Sequence, residues 1–122
     1  MNEERREFTR VRVPIAVELR IDGRRVRALL RDVSMRGASV RCGEAIDVGT
    51  RCRLVIPLEG GAHIDADARV VRATGGGLAL EIDDLRGLDS YRHLRGLVLT
   101  NAPDPDAAER EVDAHLGIRR RP

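Results

Sequence analysis

The chain has 122 residues, a formal net charge of +2 at pH 7 and only two aromatic side chains, those of Phe8 and Tyr91. This length is enough for one domain with its own hydrophobic core. The small net charge disfavours a general binder of polyanions, and the scarcity of aromatic residues disfavours a module that stacks single-stranded bases. No apolar run approaches the ~20 residues that cross a bilayer, and no secretory signal precedes the first strand. We therefore predict a cytoplasmic protein without membrane insertion.

The first part of the chain predicts a flexible arm followed by a hairpin. Residues 1–10 are almost all polar or charged, which is typical of a mobile terminus. Residues 11–21 alternate between apolar and polar side chains, which is the period of a half-buried strand. Asp22-Gly23 is a strong hairpin signal, so a second strand is expected over residues 24–33.

Further short strands are predicted over residues 38–42, 51–58, 63–73 and 78–82, with turns or loops between them. About six short strands at this spacing are typical of a small antiparallel barrel. Cys42 and Cys52 have no further Cys or nearby His with metal-ligand spacing, so we expect two buried, reduced thiols and no metal site.

The last part of the chain has helical periodicity. Apolar side chains recur at helical intervals before residue 101: Leu88, Tyr91, Leu94, Leu97 and Val98. A second helix is predicted to follow the cap residue Asp104, with Pro105 in its first position, and to end at Gly117. The predicted organisation has three parts, which are an arm (1–10), a barrel with a packed helix (11–101), and a C-terminal helix with a basic tail (102–122).

Two polar motifs frame the first predicted hairpin. An R-x-x-x-R motif covers residues 6–10, and a D-x-S-x-x-G motif covers residues 32–37. Together, in this order, they resemble the signature of the PilZ family, bacterial receptor domains for the second messenger cyclic di-GMP. The resemblance covers the chain from Arg5 to about Asn101. It implies a mainly β fold, a six-stranded antiparallel barrel of the split-barrel type with one or two C-terminal helices.

The resemblance also implies a role for each motif residue. Cyclic di-GMP presents phosphates, guanine O6 and N7 acceptors, and guanine N–H donors, which arginine forks and a carboxylate can match. Arg6 and Arg10 are expected to bind phosphate and the guanine O6/N7 edge, and Asp32 is expected to accept from a guanine Watson–Crick edge. Ser34 would hydrogen-bond the ligand and hold its own turn. Gly37 would supply a positive φ or a close approach of the ligand to the backbone.

Other positions bear on stoichiometry and affinity. Relatives with an arginine at the position of Arg5 tend to bind a stacked, intercalated dimer of the nucleotide, so two molecules per chain are expected. Some relatives stack an aromatic residue of the strand 63–73 on a guanine, where this chain has Val70 and Val71. Part of a stacking contribution of roughly 1–3 kcal/mol per base is therefore expected to be absent. Arg72 is a candidate to replace it, by stacking or by contact with a phosphate.

The predicted function is that of a cyclic di-GMP receptor that orders its arm on binding and relays the signal to a downstream partner protein. The alternative is a protein-interaction adaptor of the same fold with weak or no nucleotide binding. An enzyme is disfavoured, because His63, His93 and His115 lie in separate predicted elements without a nucleophile or metal-ligand spacing among them. Nucleic-acid binding is disfavoured by the near-neutral charge and the missing aromatic residues. No cofactor is expected beyond the nucleotide ligand.

Overall fold

The computed structural model describes residues 8–119, and their side chains as far as residue 114. It has seven strands, which are β1 (Val11–Arg12), β2 (Ala16–Ile21), β3 (Arg24–Val33), β4 (Gly37–Arg41), β5 (Arg51–Pro57), β6 (His63–Thr74) and β7 (Gly77–Leu85). A short 3₁₀ turn, Glu59–Gly61, lies between β5 and β6. Two helices follow the strands, α1 (Gly87–Asn101) and α2 (Pro105–Arg119).

The strands form a closed antiparallel barrel. Their order is β1-β3-β2-β5-β6-β7-β4, and β4 also pairs with β3, so the sheet closes on itself. The two-residue β1 is an addition to the six barrel strands, and it pairs Val11 with Val33 at the end of β3. Closure pairs the edges that an open sheet would expose to solvent. The fold therefore confirms the predicted mainly β, six-stranded antiparallel barrel followed by two helices.

The first hairpin has the predicted turn, but the strand before it is not continuous. Asp22 and Gly23 have φ values of 51° and 80°, which is the left-handed conformation that a tight two-residue hairpin turn requires. The single strand predicted over residues 11–21 is wrong, because β1 and β2 are separated by residues 13–15. Pro14 lies in this gap and has no N–H to donate to a ladder.

Alternate side chains of the strands fill the barrel. On β2, Val17, Leu19 and Ile21 are buried, and the residues between them are partly exposed. The largest fully buried side chains come from several strands and from both helices, and they include Leu19, Leu30, Leu54, Ile64, Leu94 and Val112. Burial of each such side chain contributes about 1.5–3 kcal/mol. The barrel interior is therefore the main source of stability.

Both cysteines are buried free thiols, as predicted. Burial, with a smaller contribution from the nearby Asp83 carboxylate, raises the pKa of the Cys52 thiol from its ordinary 9.0 to about 11. A thiol with such a high pKa is almost entirely neutral at physiological pH, so Cys52 is a small apolar core residue and a poor nucleophile.

The two helices cover part of the barrel surface. α1 packs against β6, β7 and β1, and it also contacts α2. Leu94 and Val98 of α1 and Ala108 and Val112 of α2 are buried and belong to the same core cluster as the strand residues. Within residues 8–119, neither helix is long and apolar enough to cross a membrane.

The start of α2 confirms its predicted capping signal, whereas its end does not. Oδ1 of Asp104 accepts a hydrogen bond from the backbone N–H of Ala107 at 3.1 Å, and Pro105 is the first residue of the helix. The predicted end at Gly117 is wrong, because α2 continues to Arg119. A glycine weakens a helix by about 1 kcal/mol relative to alanine but removes no backbone hydrogen-bonding group, so it does not by itself end the helix.

Candidate functional site

A β-bulge in β3 turns two charged residues away from the core. Leu30 and Asp32 face consecutive residues of β4, which leaves Arg31 as the additional residue. Leu30 and Val33 are both completely buried, although strict alternation would place residues three apart on opposite faces. The bulge therefore keeps Val33 in the core and places both Arg31 and Asp32 on the outer surface.

A second bulge, in β6, places Val71 and Arg72 on the outer surface of the barrel. Val70 and Arg72 face consecutive residues of β7, so Val71 is the additional residue. Val70 is completely buried, whereas Val71 is 45% exposed. Of the two neighbouring valines, Val70 belongs to the core, and Val71 lies on the surface, where a ligand could contact it.

The two bulges lie on the same face of the barrel. Asp32 of β3 faces Ser39 of β4, and Ser39 in turn faces Ala79 of β7. Arg72 of β6 faces Ala79 from the other side. Neighbouring strands are about 4.8 Å apart, so this row of four residues spans roughly 14 Å. Its ends are charged and its two central side chains are short, which leaves a shallow floor between Asp32 and Arg72.

The turn after β3 is held by Ser34, which is 2% exposed. Its Oγ accepts hydrogen bonds from the backbone N–H groups of Arg36 at 3.2 Å and Gly37 at 3.1 Å. The same hydroxyl donates to the carbonyl oxygen of Gly37 at 3.5 Å. The predicted role of Ser34 in the turn is confirmed, and its hydroxyl uses its proton and both lone pairs there.

Gly37 is favoured by close packing and not by a positive φ. Gly37 begins β4 and does not have a positive φ, so the predicted positive φ is wrong. Any residue can adopt the extended backbone that Gly37 has here. A Cβ at this position would lie 3.0 Å from the carbonyl oxygen of Leu80 and 3.6 Å from Nη1 of Arg10. The close approach at Gly37 is therefore that of the neighbouring strand and of the Arg10 guanidinium.

Phe8 anchors the segment that carries Arg10. Its ring is 5% exposed and belongs to the barrel core. Two residues later, Nε of Arg10 donates to Oδ1 of Asp32 at 3.0 Å, and these side chains are 30% and 31% exposed. Within the described part of the chain, this ion pair uses one N–H group and one carboxylate oxygen. The terminal nitrogens of Arg10 and Oδ2 of Asp32 have no hydrogen-bond partner among residues 8–119, and these are groups that can bind a ligand.

An open cavity of about 630 Å³ lies over the row of four residues, a size typical of small-molecule sites. The paired side chains of Arg10 and Asp32 line it. Arg36 and Arg72 also line it, and neither has a carboxylate partner among the described residues. Glu81, the other carboxylate of the lining, is neutralised by an ion pair with an arginine of β6.

A second cavity, of about 280 Å³, adjoins the first and shares Ser39, Arg72 and Ala79 with it. Arg31 and Arg41 line this second cavity, again without a carboxylate partner in the part of the chain that is described. Together the two cavities have five arginines and two carboxylates. The surface that they form, termed the arginine-rich face below, has an excess of positive charge and suits an anionic ligand.

The structure brings together five of the seven predicted binding residues. Those that line the first cavity are Arg10, Asp32, Ser34, Gly37 and Arg72. Arg5 and Arg6, with the rest of the first seven residues of the predicted arm, lie outside the described residues. The last three residues of that arm, 8–10, are packed against the domain, since Phe8 is buried and Arg10 is paired with Asp32.

Several residues of the arginine-rich face were not predicted. Ser39 and Arg41 follow Gly37 at a period of two, so strand alternation could have placed them on the same face. Arg36 lies inside the D-x-S-x-x-G motif at a position that the motif leaves open. Glu81 reaches the cavity because β7 pairs with β4, and no local pattern in the sequence encodes that pairing.

A family model and several solved structures are similar to this chain. A family model described as PilZ domain matches residues 4–100, whereas no curated protein sequence matches the chain. The PilZ domain of CeSA from a cellulose-synthesizing bacterium has a TM-score of 0.60 and 23% identity, over 75% of this chain and 96% of that chain. Bacillus subtilis inhibitor of motility (MotI/DgrA) has a TM-score of 0.64 and 20% identity, and the match covers 94% of this chain and 53% of that chain. The PilZ domain with c-di-GMP of YcgR from Escherichia coli has a TM-score of 0.62 and 16% identity, and the match covers 93% of this chain and 98% of that chain.

Proposed function

The chain belongs to the PilZ domain family, and we propose that it is a receptor for cyclic di-GMP. PilZ domains typically bind cyclic di-GMP and are in general non-catalytic receptor modules. The observation that carries the proposal is the single cavity of about 630 Å³ that is lined by Arg10, Asp32, Ser34, Gly37 and Arg72. These residues come from three separate segments of the chain, and they supply donors and acceptors that this nucleotide needs.

The ligand chemistry assigns a role to each charged residue. Guanidinium groups bind phosphate oxygens and the guanine O6/N7 edge through paired N–H donors. Arg10 is assigned to phosphate or to that edge, and Arg72 to phosphate or to stacking on a base. Asp32 is assigned to the guanine N1–H and N2–H donors. Arg36 lines the same cavity without a carboxylate partner among the described residues, so it is a further candidate for phosphate.

The ion pair between Arg10 and Asp32 supports this assignment because it orients both groups without occupying them fully. Nε and Oδ1 are used, whereas the terminal nitrogens of Arg10 and Oδ2 of Asp32 face no partner within the described residues. A preoriented pair loses less conformational entropy when the ligand arrives. Ser34, whose hydroxyl is occupied in its turn, contributes mainly by holding the backbone between Asp32 and Gly37.

Two nucleotides per chain are proposed, with Arg6 as an additional fork for the first and Arg5 as a contact for the second. The support for a second molecule is the adjoining cavity of about 280 Å³, where Arg31 and Arg41 have no carboxylate partner in the described part of the chain. Two stacked nucleotides carry twice the phosphate charge of one, and the excess of arginines on this face offsets most of that charge.

Signalling is proposed to proceed through the N-terminal arm. Binding would order the part of the arm before Phe8 over the arginine-rich face and so change the surface that a downstream partner protein meets. The change would concern the residues before Phe8, because Phe8 is itself buried in the core.

Isothermal titration with cyclic di-GMP tests the proposal, with GTP, cyclic AMP and cyclic GMP as controls. Charge-assisted hydrogen bonds contribute about 1.5–3 kcal/mol each. Several of them, less the ordering costs, correspond to roughly the 8 kcal/mol of a micromolar complex. We expect selective binding near micromolar or tighter. Absence of heat, together with absence of competition at high ligand concentration, would contradict the proposal.

A second candidate function is a protein-interaction adaptor with weak or no nucleotide binding. One observation favours it: the exposed residue of the β6 bulge is Val71, which has no π-face on which a guanine can stack. Base stacking on an aromatic residue is worth roughly 1–3 kcal/mol per base, so its absence lowers affinity. A silent titration with a correctly folded protein would select this second function.

A further inference from the structure

Glu111 of α2 binds the segment that carries Arg10. Its Oε1 accepts a hydrogen bond from the backbone N–H of Thr9 at 2.7 Å and another from the Thr9 hydroxyl at 2.8 Å. Thr9 directly precedes Arg10, and both hydrogen bonds are partly buried. The two residues are 102 positions apart in the chain, so the contact depends on how α2 is docked.

α2 is held in place without this contact. Ala108 and Val112 are buried in the common core. Nη2 of Arg95 on α1 also donates to Oε2 of Glu109 at 2.8 Å, which joins the two helices. The helix is therefore a fixed support from which Glu111 reaches Thr9. The match to the family model ends at residue 100, before α2 begins at Pro105, so Glu111 lies outside the matched region although Thr9 lies within it.

We propose that Glu111 is a positioning residue of the nucleotide site, which fixes Thr9 and through it holds the Arg10 guanidinium beside Asp32. This inference rests on the proposed function. One carboxylate binds both the backbone and the side chain of Thr9, so it restricts the backbone where the Arg10 side chain begins. An arginine held in this way has less freedom to lose when it binds a phosphate or a guanine edge.

The same contact couples α2 to the ligand. If Arg10 moves toward a bound nucleotide, the hydrogen bonds from Thr9 to Glu111 must follow it or break. By linkage, a partner that draws α2 away from Thr9 lowers nucleotide affinity by the same factor by which the nucleotide lowers affinity for that partner. The C-terminal helix is then a second output element beside the N-terminal arm.

Four variants separate this role from general stability. Glu111→Ala removes the acceptor for both Thr9 donors, whereas Glu111→Gln keeps a carbonyl oxygen in the same place. Glu109→Ala is the matched control, because it removes a carboxylate of the same helix that binds Arg95 and not Thr9. Thr9→Val removes the hydroxyl hydrogen bond alone and leaves α2 unchanged, so it reports on the contact even if Glu111→Ala does not fold.

The first readouts need no nucleotide, and they are the NMR amide exchange of Thr9 and the Nε–H signal of Arg10. In Glu111→Ala, the exchange of the Thr9 amide should rise about tenfold, and the Arg10 signal should move toward that of a free arginine. Isothermal titration with cyclic di-GMP should then give an affinity at least about fivefold weaker than that of the parent. Glu111→Gln and Glu109→Ala should stay within about twofold of the parent, and Thr9→Val should give an intermediate loss.

Two results would overturn the inference. One is an unchanged Thr9 exchange rate in Glu111→Ala. The other is a faster exchange rate with unchanged affinity in a parent protein that does bind cyclic di-GMP, since the contact would then be structural only. A parent that binds no nucleotide defeats the proposed function instead. In that case the Arg10 Nε–H signal decides, because its displacement in Glu111→Ala supports positioning and its constancy contradicts it.

Discussion

Removal of the Arg10 side chain should weaken cyclic di-GMP binding much more than it weakens the fold. The ion pair of Arg10 with Asp32 joins side chains that are 30% and 31% exposed, and a pair this exposed contributes at most about 1 kcal/mol to folding. For a domain of this size, that loss lowers Tm by roughly 5 °C or less. Each charge-assisted hydrogen bond to the ligand is worth about 1.5–3 kcal/mol, and about 1.4 kcal/mol corresponds to a tenfold change in Kd. Arg10→Ala should therefore bind at least about tenfold more weakly, as measured by isothermal titration.

Arg20→Ala is the control for this prediction. Arg20 makes the same kind of ion pair, from Nε to Oε2 of Glu18 at 2.6 Å, with side chains that are 39% and 29% exposed. It does not line the cavity of about 630 Å³ that contains Arg10. It should show a similar fall in Tm and a Kd within about twofold of the parent. Parent-like affinity in Arg10→Ala would refute the placement of the site. An equal loss in both variants would mean that general positive charge, and not this cavity, attracts the nucleotide.

Three further predictions follow from other parts of the structure. Gly37→Ala should destabilise the domain by about 1–3 kcal/mol in urea unfolding and weaken nucleotide binding, because its Cβ would lie 3.0 Å from the carbonyl oxygen of Leu80; Gly43→Ala, with nothing within 4 Å, should do neither. Arg5→Leu should lower the titration stoichiometry from two nucleotides to one, and a parent that saturates at one equivalent would contradict that role. The raised pKa of Cys52, about 11 against an ordinary 9.0, means that the folded state favours the neutral thiol. The stability that this thiol contributes is complete below pH 9 and is lost as pH rises through 11, so urea unfolding at pH 10.5 should reveal a loss on the order of 2 kcal/mol in the parent that is absent from Cys52→Ala.

Much of the barrel could be predicted from the sequence because its signals are local. Apolar alternation along β2 depends only on the strand itself, and the left-handed conformations of Asp22 and Gly23 are favoured by those residue types. The break at Pro14 was missed because apolar alternation continues through the proline, whereas Pro14 has no N–H to donate and the N–H of Ile15 bonds back to the carbonyl oxygen of Val13. The continuation of α2 past Gly117 was missed because a glycine is a weak stop signal when it stands alone.

The candidate site was predictable only in part, because it depends on which strands are neighbours. Asp32, Ser34 and Gly37 lie in one short motif, which was identified as a candidate site only because the R-x-x-x-R motif precedes it and the two together resemble the PilZ signature. The reason for Gly37 was visible only after β4 and β7 were paired, since its close neighbour is a carbonyl oxygen of β7. The contact between Thr9 and Glu111 joins residues 102 positions apart, and no periodicity or motif in the sequence links them.

The two bulges explain how a closed barrel accommodates this charged site. Without the additional residue in β3, the alternation that buries Leu30 would also bury Asp32, and an inward carboxylate would cost several kcal/mol unless it was paired. With the additional residue in β3, Val33 stays in the core, and Arg31 and Asp32 both face outward. The bulge of β6 acts in the same way on the opposite side of the β4–β7 pair. A D-x-S-x-x-G sequence by itself specifies an ordinary turn. Here it forms part of the arginine-rich face because the bulge at Arg31, directly before the motif, turns Asp32 outward.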